Sequence, residues 1–362
     1  MSNISVDFLG FTLKNPLMLT EGPLSGSLEL IEKASKFEIG MIFTKGISLK
    51  PIKCSVPYIR KYEKSLINAD WSDIGFKEWI RTINSLQIDT PVVTSIAKNY
   101  VNSDTAVEMA VELVEAGSKI ISFVDYDPAQ LVDTVKKARP LIKVPLMVKL
   151  TPFIPDLENV LKSLVSAGVD AIAAMDSIGP VLSIDIKTGE PIMGSKDGSA
   201  YLSGKYILPV TLKYIYEISR FVDVPVVGVG GVTDNESAIQ MIMAGATGVG
   251  MVTAPILEGF DIFSKVASGI KEYLEDKGLE KVGELRRLTH RKVRERNTST
   301  NLKAEINQTK CTSCGLCEKV CYSKAVIMED EKYRIIKEKC VGCGLCSSVC
   351  SFDSITFNER VI

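Results

Sequence analysis

One histidine, His290, serves a chain of 362 residues. A single imidazole argues against Ser-His-Asp hydrolysis, Cys-His proteolysis and His-rich zinc sites. His290 also stands in the basic run Arg286 to Arg296, whose composition reads as a solvated connector rather than a pocket. An excess of one charge sign is missing too. The 43 Lys and Arg against 44 Asp and Glu leave a formal net charge of −1, which supplies no global basic field for nucleic acid. Long apolar runs are absent: Val224 to Val232 and Ala244 to Leu257 are broken by Gly, Thr or Pro and fall short of the ~20 residues of a membrane span. Met1 to Ser5 leads into a strand-like segment without the charged, apolar and small-residue succession of an export signal. The expectation is a cytoplasmic chain with no membrane and no nucleic acid among its partners.

What is present is globular: 46% apolar and 24% charged residues can bury a large core. Short β-branched runs alternate with amphipathic stretches eight times, the mark of a parallel sheet with crossover helices. Strands are expected near Pro16–Leu19, Gly40–Thr44, Pro91–Ile96, Lys119–Val124, Val144–Leu150, Ala171–Met175, Val224–Val229 and Gly248–Val252. Three helices end alike, at Gly117, Gly168 and Gly245, each preceded by alanine and followed by a strand-like run, as glycine C-caps do. Eight such pairs within about 285 residues predict a (β/α)8 TIM barrel. A Rossmann sheet is disfavoured, because Gly228-Val229-Gly230-Gly231-Val232-Thr233 fails the dinucleotide pattern at its last position and comes late. The predicted division is an α/β barrel over 1–285, a basic linker over 286–304 and a small α+β domain over 305–362. The linker reads as a solvated spacer, or alternatively as a docking surface for an acidic redox partner.

Eight of the nine cysteines fall in the last 52 residues. Cys311-x2-Cys314-x2-Cys317-x3-Cys321 recurs as Cys340-x2-Cys343-x2-Cys346-x3-Cys350, an internal duplication of an iron-sulfur ligand motif. In two-cluster domains the fourth cysteine ligates the other cluster. That rule assigns Cys311, Cys314, Cys317 and Cys350 to one [4Fe-4S] cluster, and Cys340, Cys343, Cys346 and Cys321 to the second. The proline usual after each fourth cysteine is replaced by Tyr322 and Ser351. The tail resembles a bacterial-type two-cluster ferredoxin, and a domain of its size needs the clusters as staples. Cys54, far from the array, reads as an ordinary loop or core cysteine.

Barrel enzymes bind phosphate at the loops after the seventh and eighth strands, where Gly230-Gly231 and Thr253-Ala254 stand here. Several phrases extend this: Phe11 to Pro23 (FTLKNPLMLTEGP), Thr44 to Ser48 (TKGIS), Val148 to Pro152 (VKLTP), Ile186 to Pro191 (IKTGEP), Leu202-Ser203-Gly204 with Pro209, and Val224 to Ala254. Through them residues 5 to 275 resemble the dihydroorotate and dihydropyrimidine dehydrogenase flavoproteins. The resemblance implies FMN at the C-terminal mouth of the barrel. Lys45 and Lys149 would lie near its ring, Gly204, Gly230, Gly231 and Thr253 at its phosphate, and Gly22, Asp176, Ser177 and Ser203 elsewhere around it, while Asn68 takes the place of a family asparagine that contacts substrate or flavin, or else is an ordinary turn asparagine. A lysine at the ring edge would stabilise the charge of the reduced flavin.

The pattern breaks in one loop. The pyrimidine dehydrogenases carry N-L-S-C-P there, with a substrate-binding asparagine and a catalytic cysteine or serine; this chain has Val124-Asp125-Tyr126-Asp127-Pro128. Met175-Asp176-Ser177 likewise replaces a family N-T. Loss of two ring-reading amides predicts a changed, non-pyrimidine substrate. Asp127 or Tyr126 is the candidate proton donor or acceptor, with Lys45 beside it in the catalytic set. Asp125 and Asp176 would make the pocket acidic, although helix capping or a turn before Pro128 explains such carboxylates equally well.

The expected activity is hydride exchange between a small molecule and FMN on CH–CH type bonds. Single electrons would pass through two [4Fe-4S] clusters to or from a ferredoxin-like or flavoprotein redox partner. Homodimer formation is an open option. Alternatives are a non-catalytic electron-transfer subunit and an RNA reductase resembling the tRNA dihydrouridine synthases.

Overall fold

The computed structural model describes residues 2–69, 71–72, 74–97, 101–295 and 302–357. Two compact units emerge, Met1–Arg294 and Glu295–Ile362.

The first unit opens with a hairpin, β1 (Val6–Phe8) and β2 (Phe11–Leu13), followed by β3 (Leu17–Leu19), α1 (Leu28–Ser35) and β4 (Met41–Phe43). An excursion forms β5 (Ile59–Tyr62) and β6 (Ser65–Asn68), and the alternation resumes with α2 (Phe76–Ser85), β7 (Val92–Ala97), α3 (Ser103–Glu115), β8 (Ile121–Val124), α4 (Pro128–Ala138), β9 (Leu146–Leu150), α5 (Leu157–Ser166) and β10 (Ala171–Ala174). A second excursion gives β11 (Ile178–Val181) and β12 (Ala200–Gly204). Then come α6 (Leu208–Phe221), β13 (Val226–Val229), α7 (Asn235–Ala244), β14 (Gly248–Met251), α8 (Thr253–Glu258), α9 (Asp261–Asp276) and α10 (Leu288–Glu295). Strands β3, β4, β7, β8, β9, β10, β13 and β14 close into a parallel barrel, and each coincides with one of the eight runs expected from sequence.

Alternation along the strands sets what faces inward. Met18, Phe43, Val93, Met147, Ala173 and Val227 pack together inside the barrel with Phe8 and Leu13 of the hairpin. Their neighbours Leu17, Leu19, Ile42, Val148, Ile172 and Val226 join the core shared with the helices. Two residues beyond the inner layer, the same face carries Lys45, Ser95, Lys149 and Met175 to the C-terminal mouth. The two excursions pair across more than a hundred residues in an antiparallel sheet of order β11-β12-β6-β5. Ile59, Leu66, Asn68 and Ser203 of that sheet line the cavity at the mouth.

The sequence placed a solvated linker from residue 286, and here the structure corrects it. Leu288–Glu295 is helical and belongs to the first unit as far as Arg294. His290 is buried, its Nε2 lying 3.1 Å from both Ser219 Oγ and the Tyr216 carbonyl, and its ring stacks on Tyr216 with centroids 4.2 Å apart. Arg287 donates to the Val222 carbonyl at 2.8 Å and Arg286 to that of Gly245 at 3.3 Å. The basic residues therefore satisfy carbonyls at the C-terminal ends of α6 and α7, where cations are favoured. Replacement of His290 by alanine should cost the first unit about 2 kcal/mol, read as a lower urea midpoint at unchanged slope. Of the remaining linker, 296–301 lie outside the described residues.

In the second unit β15 (Ala304–Ile306) pairs antiparallel with β18 (Ile355–Phe357), and β16 (Val326–Glu329) with β17 (Lys332–Ile335). The short helices α11 (Leu316–Val320) and α12 (Leu345–Ser348) follow the cysteine loops. Gly315 and Gly344 precede them at φ 79° and 87°. Three of the eight buried residues in its core, Cys317, Cys340 and Cys346, are candidate ligands.

Candidate functional site

The cavity at the barrel mouth is lined from both the strand ends and the sheet above them. One group of its residues surrounds the end of β12: Ser203 Oγ lies 2.9 Å from Thr253 Oγ1. Gly204 has φ 88°, and a Cβ there would come within 2.7 Å of Thr253 Cγ2 and 2.9 Å of Ser65 Cα. Gly231, at φ 92°, approaches Leu208 so closely that a Cβ would stand 2.5 Å from its Cα. Only glycine meets both demands. Gly22 and Gly230 border the same cavity.

A second group is charged. Lys149 is buried, with Nζ 3.0 Å from Glu21 Oε2 and 3.6 Å from Asp176 Oδ1. Burial pulls the basicity of its ammonium down, but the Asp176 and Glu21 carboxylates outweigh that and hold its pKa above the ordinary lysine value. Asp176 Oδ1 also accepts from the Ser177 amide at 2.8 Å. Lys45, likewise buried, places Nζ 3.5 Å from the centroid of the Trp71 ring. Asn68 borders the cavity while its Nδ2 donates to the Ala69 carbonyl at 3.4 Å.

Every residue expected at the flavin thus lines one cavity. The catalytic loop divides differently. Tyr126 borders the cavity, its ring 6.2 Å from that of Tyr201. Asp127 does not: it is the N-cap of α4, its Oδ1 accepting from the Ala129 and Gln130 amides at 2.9 and 3.3 Å. Pro128 fixes the first helical position, and of the two readings of this carboxylate the geometry shows the capping one. Asp125 Oδ1 accepts from the Asp127 amide at 2.9 Å and lies outside the lining. The expected acidity of the pocket is also corrected, because Glu21 and Asp176 are balanced by Lys45 and Lys149. Sequence reasoning passed over Glu21 and Trp71. Glu21 follows the first barrel strand, a position that by itself points to the mouth; no local pattern marks Trp71.

In the second unit the eight cysteines separate into two sets. One small cavity is lined by Cys311, Cys314, Cys317 and Cys350, the other by Cys321, Cys340, Cys343 and Cys346. The two exchanged cysteines are treated alike. Cys350 Sγ lies 3.0 Å from Ser354 Oγ, which lowers its pKa. Burial would raise Cys321, but the Ser323 hydroxyl and neighbouring amides, including that of Ala325 at 3.3 Å, bring it below the ordinary value. Among the described residues no three His, Cys, Asp or Glu close on a point as a single metal ion requires. Four thiols spread around a void suit a multinuclear cluster. The barrel cavity suits a flavin mononucleotide, with lysines for an electron-rich ring edge and a glycine and hydroxyl cradle for a phosphate.

Comparison with known proteins agrees with this division. The family model for dihydroorotate dehydrogenase matches residues 3–274, and that for a 4Fe-4S dicluster domain matches 304–357. The catalytic subunit of dihydroorotate dehydrogenase B (NAD(+)) from Methanocella arvoryzae is 31% identical over 298 residues, 79% of this chain and 97% of that protein. Its counterpart from Pyrococcus furiosus is 29% identical over 296 residues, covering 78% and 97%. That from Alkaliphilus oremlandii is 29% identical over 299, again 78% and 97%.

Proposed function

The chain belongs to the dihydroorotate dehydrogenase family, and from that premise we propose that it is an FMN oxidoreductase whose substrate is not a pyrimidine. Two [4Fe-4S] clusters in the second unit would connect it to a one-electron carrier or a flavoprotein partner in the cytoplasm. The observation that carries this reading is the meeting of two buried lysines and a glycine-hydroxyl cradle in one cavity at the barrel mouth. When bound, FMN supplies two-electron hydride chemistry that can be divided into single-electron steps.

The chain's own residues orient and exclude. Lys149 and Lys45 would face the ring, while Gly204, Gly230, Gly231, Ser203 and Thr253 hold the phosphate and Gly22, Asn68, Asp176 and Ser177 complete the lining. Met175 and Val124 present apolar surface that keeps water away. Tyr126 is the residue of the β8–α4 loop that reaches the cavity with an ionisable hydroxyl, so it would give or take the substrate proton. Val124 and Asp176 stand where the resemblance places ring-reading amides, and neither can replace the paired donor and acceptor of an asparagine.

Anaerobic stopped-flow reduction of the bound flavin across a panel of dihydropyrimidines and non-pyrimidine CH–CH substrates tests the reading. A non-pyrimidine should reduce the flavin fastest, and fastest reduction by dihydroorotate would refute the changed substrate. No reduction by any compound would favour an electron-transfer role. With the productive substrate, Tyr126→Phe should slow reduction by about 100-fold or more at unchanged flavin content.

A further inference from the structure

The roles above leave Glu21 unexplained. Its carboxylate is fixed at both oxygens: Oε1 accepts from Ser95 Oγ at 3.0 Å and Oε2 lies 3.0 Å from Lys149 Nζ. Its side chain is 9% exposed. Asp176 approaches the same ammonium at 3.6 Å and is 26% exposed. One positive and two negative charges give this corner of the cavity a net charge of −1. The second lysine, Lys45, stands over Trp71 in the same cavity.

Such an arrangement opposes the simplest use of a lysine beside a flavin. Two-electron reduction with uptake of one proton adds one negative charge to the flavin. An isolated ammonium would favour that charge, whereas an ammonium already neutralised twice cannot, and the low dielectric of a buried site preserves the difference.

We propose that Glu21 is a positioning residue that clamps Lys149 and, with Asp176, makes its site net anionic, lowering the flavin potential and biasing the enzyme toward hydride donation. The inference rests on FMN occupying the barrel cavity.

Anaerobic spectroelectrochemical titration of the full-length holoprotein provides the test. Glu21→Gln keeps the shape and an acceptor for Ser95 while removing the charge. It should raise the flavin midpoint potential by about tenfold in the oxidised-to-reduced equilibrium, ~30 mV for a two-electron couple. Asp176→Asn should shift it in the same direction by less, and Glu21→Asp should remain within about twofold of wild type. A flavin-loaded Glu21→Gln protein at or below the wild-type potential overturns the inference. If that variant does not retain FMN, the sign of the Asp176→Asn shift decides. Wild-type protein that binds no FMN instead overturns the reading of the cavity on which the inference rests.

Discussion

Replacing Cys311 and Cys350 together by serine should leave about four of the eight irons expected of two four-iron clusters, whereas replacing Cys311 and Cys321 should remove nearly all of them. The contrast follows from which thiols share a cavity. Cys311 and Cys350 line one void, so their double replacement disables a single cluster; Cys321 borders the other, so the second pair disables both. If each repeat supplied its own four ligands, the results would be interchanged. The pairing of β15 with β18 explains how Cys350 reaches the first set, since it joins the two ends of the unit. Iron and sulfide content after anaerobic purification distinguishes the two schemes. The four-iron variant should also be more easily proteolysed, because cysteines form so much of the small core.

Lys149→Met should destabilise the barrel unit by about 3–5 kcal/mol. The loss arises from the partners left behind. Glu21 would remain buried with one oxygen deprived of its cation, while Asp176, more exposed, can turn to water. Adding Glu21→Gln to the same protein should recover much of the loss, since the orphaned charge disappears with it. Urea unfolding of the four members of this double-mutant cycle, prepared without flavin, measures the coupling independently of catalysis. Additive losses would show that the ion pair is not coupled.

Much of this architecture was legible in local signals. The runs Val144–Leu150 and Val224–Val229, which contain β9 and β13, are short and bounded by turn residues, and the glycines at 117, 168 and 245 mark helix ends through backbone geometry alone. The cysteine spacing likewise marks the two sets of four thiols that line the two small cavities. Features made by distant partners were not legible. The sheet over the mouth depends on β6 finding β12, and neither segment is long enough to announce its pairing. His290 looks solvated among arginines, yet the α6 and α7 carbonyls that satisfy this basic run lie far away in sequence. Asp127 shows the opposite difficulty. Asp-Pro before a helical stretch is a capping signal, and beside the alignment with a family catalytic position it leaves two readings of equal weight that only the geometry of the helix end separates. Glu21 was visible within a quoted phrase, but its importance rests on meeting Lys149 across 128 positions.

Release of the flavin from anaerobically purified full-length protein tests the central claim most directly. One FMN per chain is expected, diminished in Lys149→Met. A chain that carries no flavin and takes up none when FMN is added would contradict it.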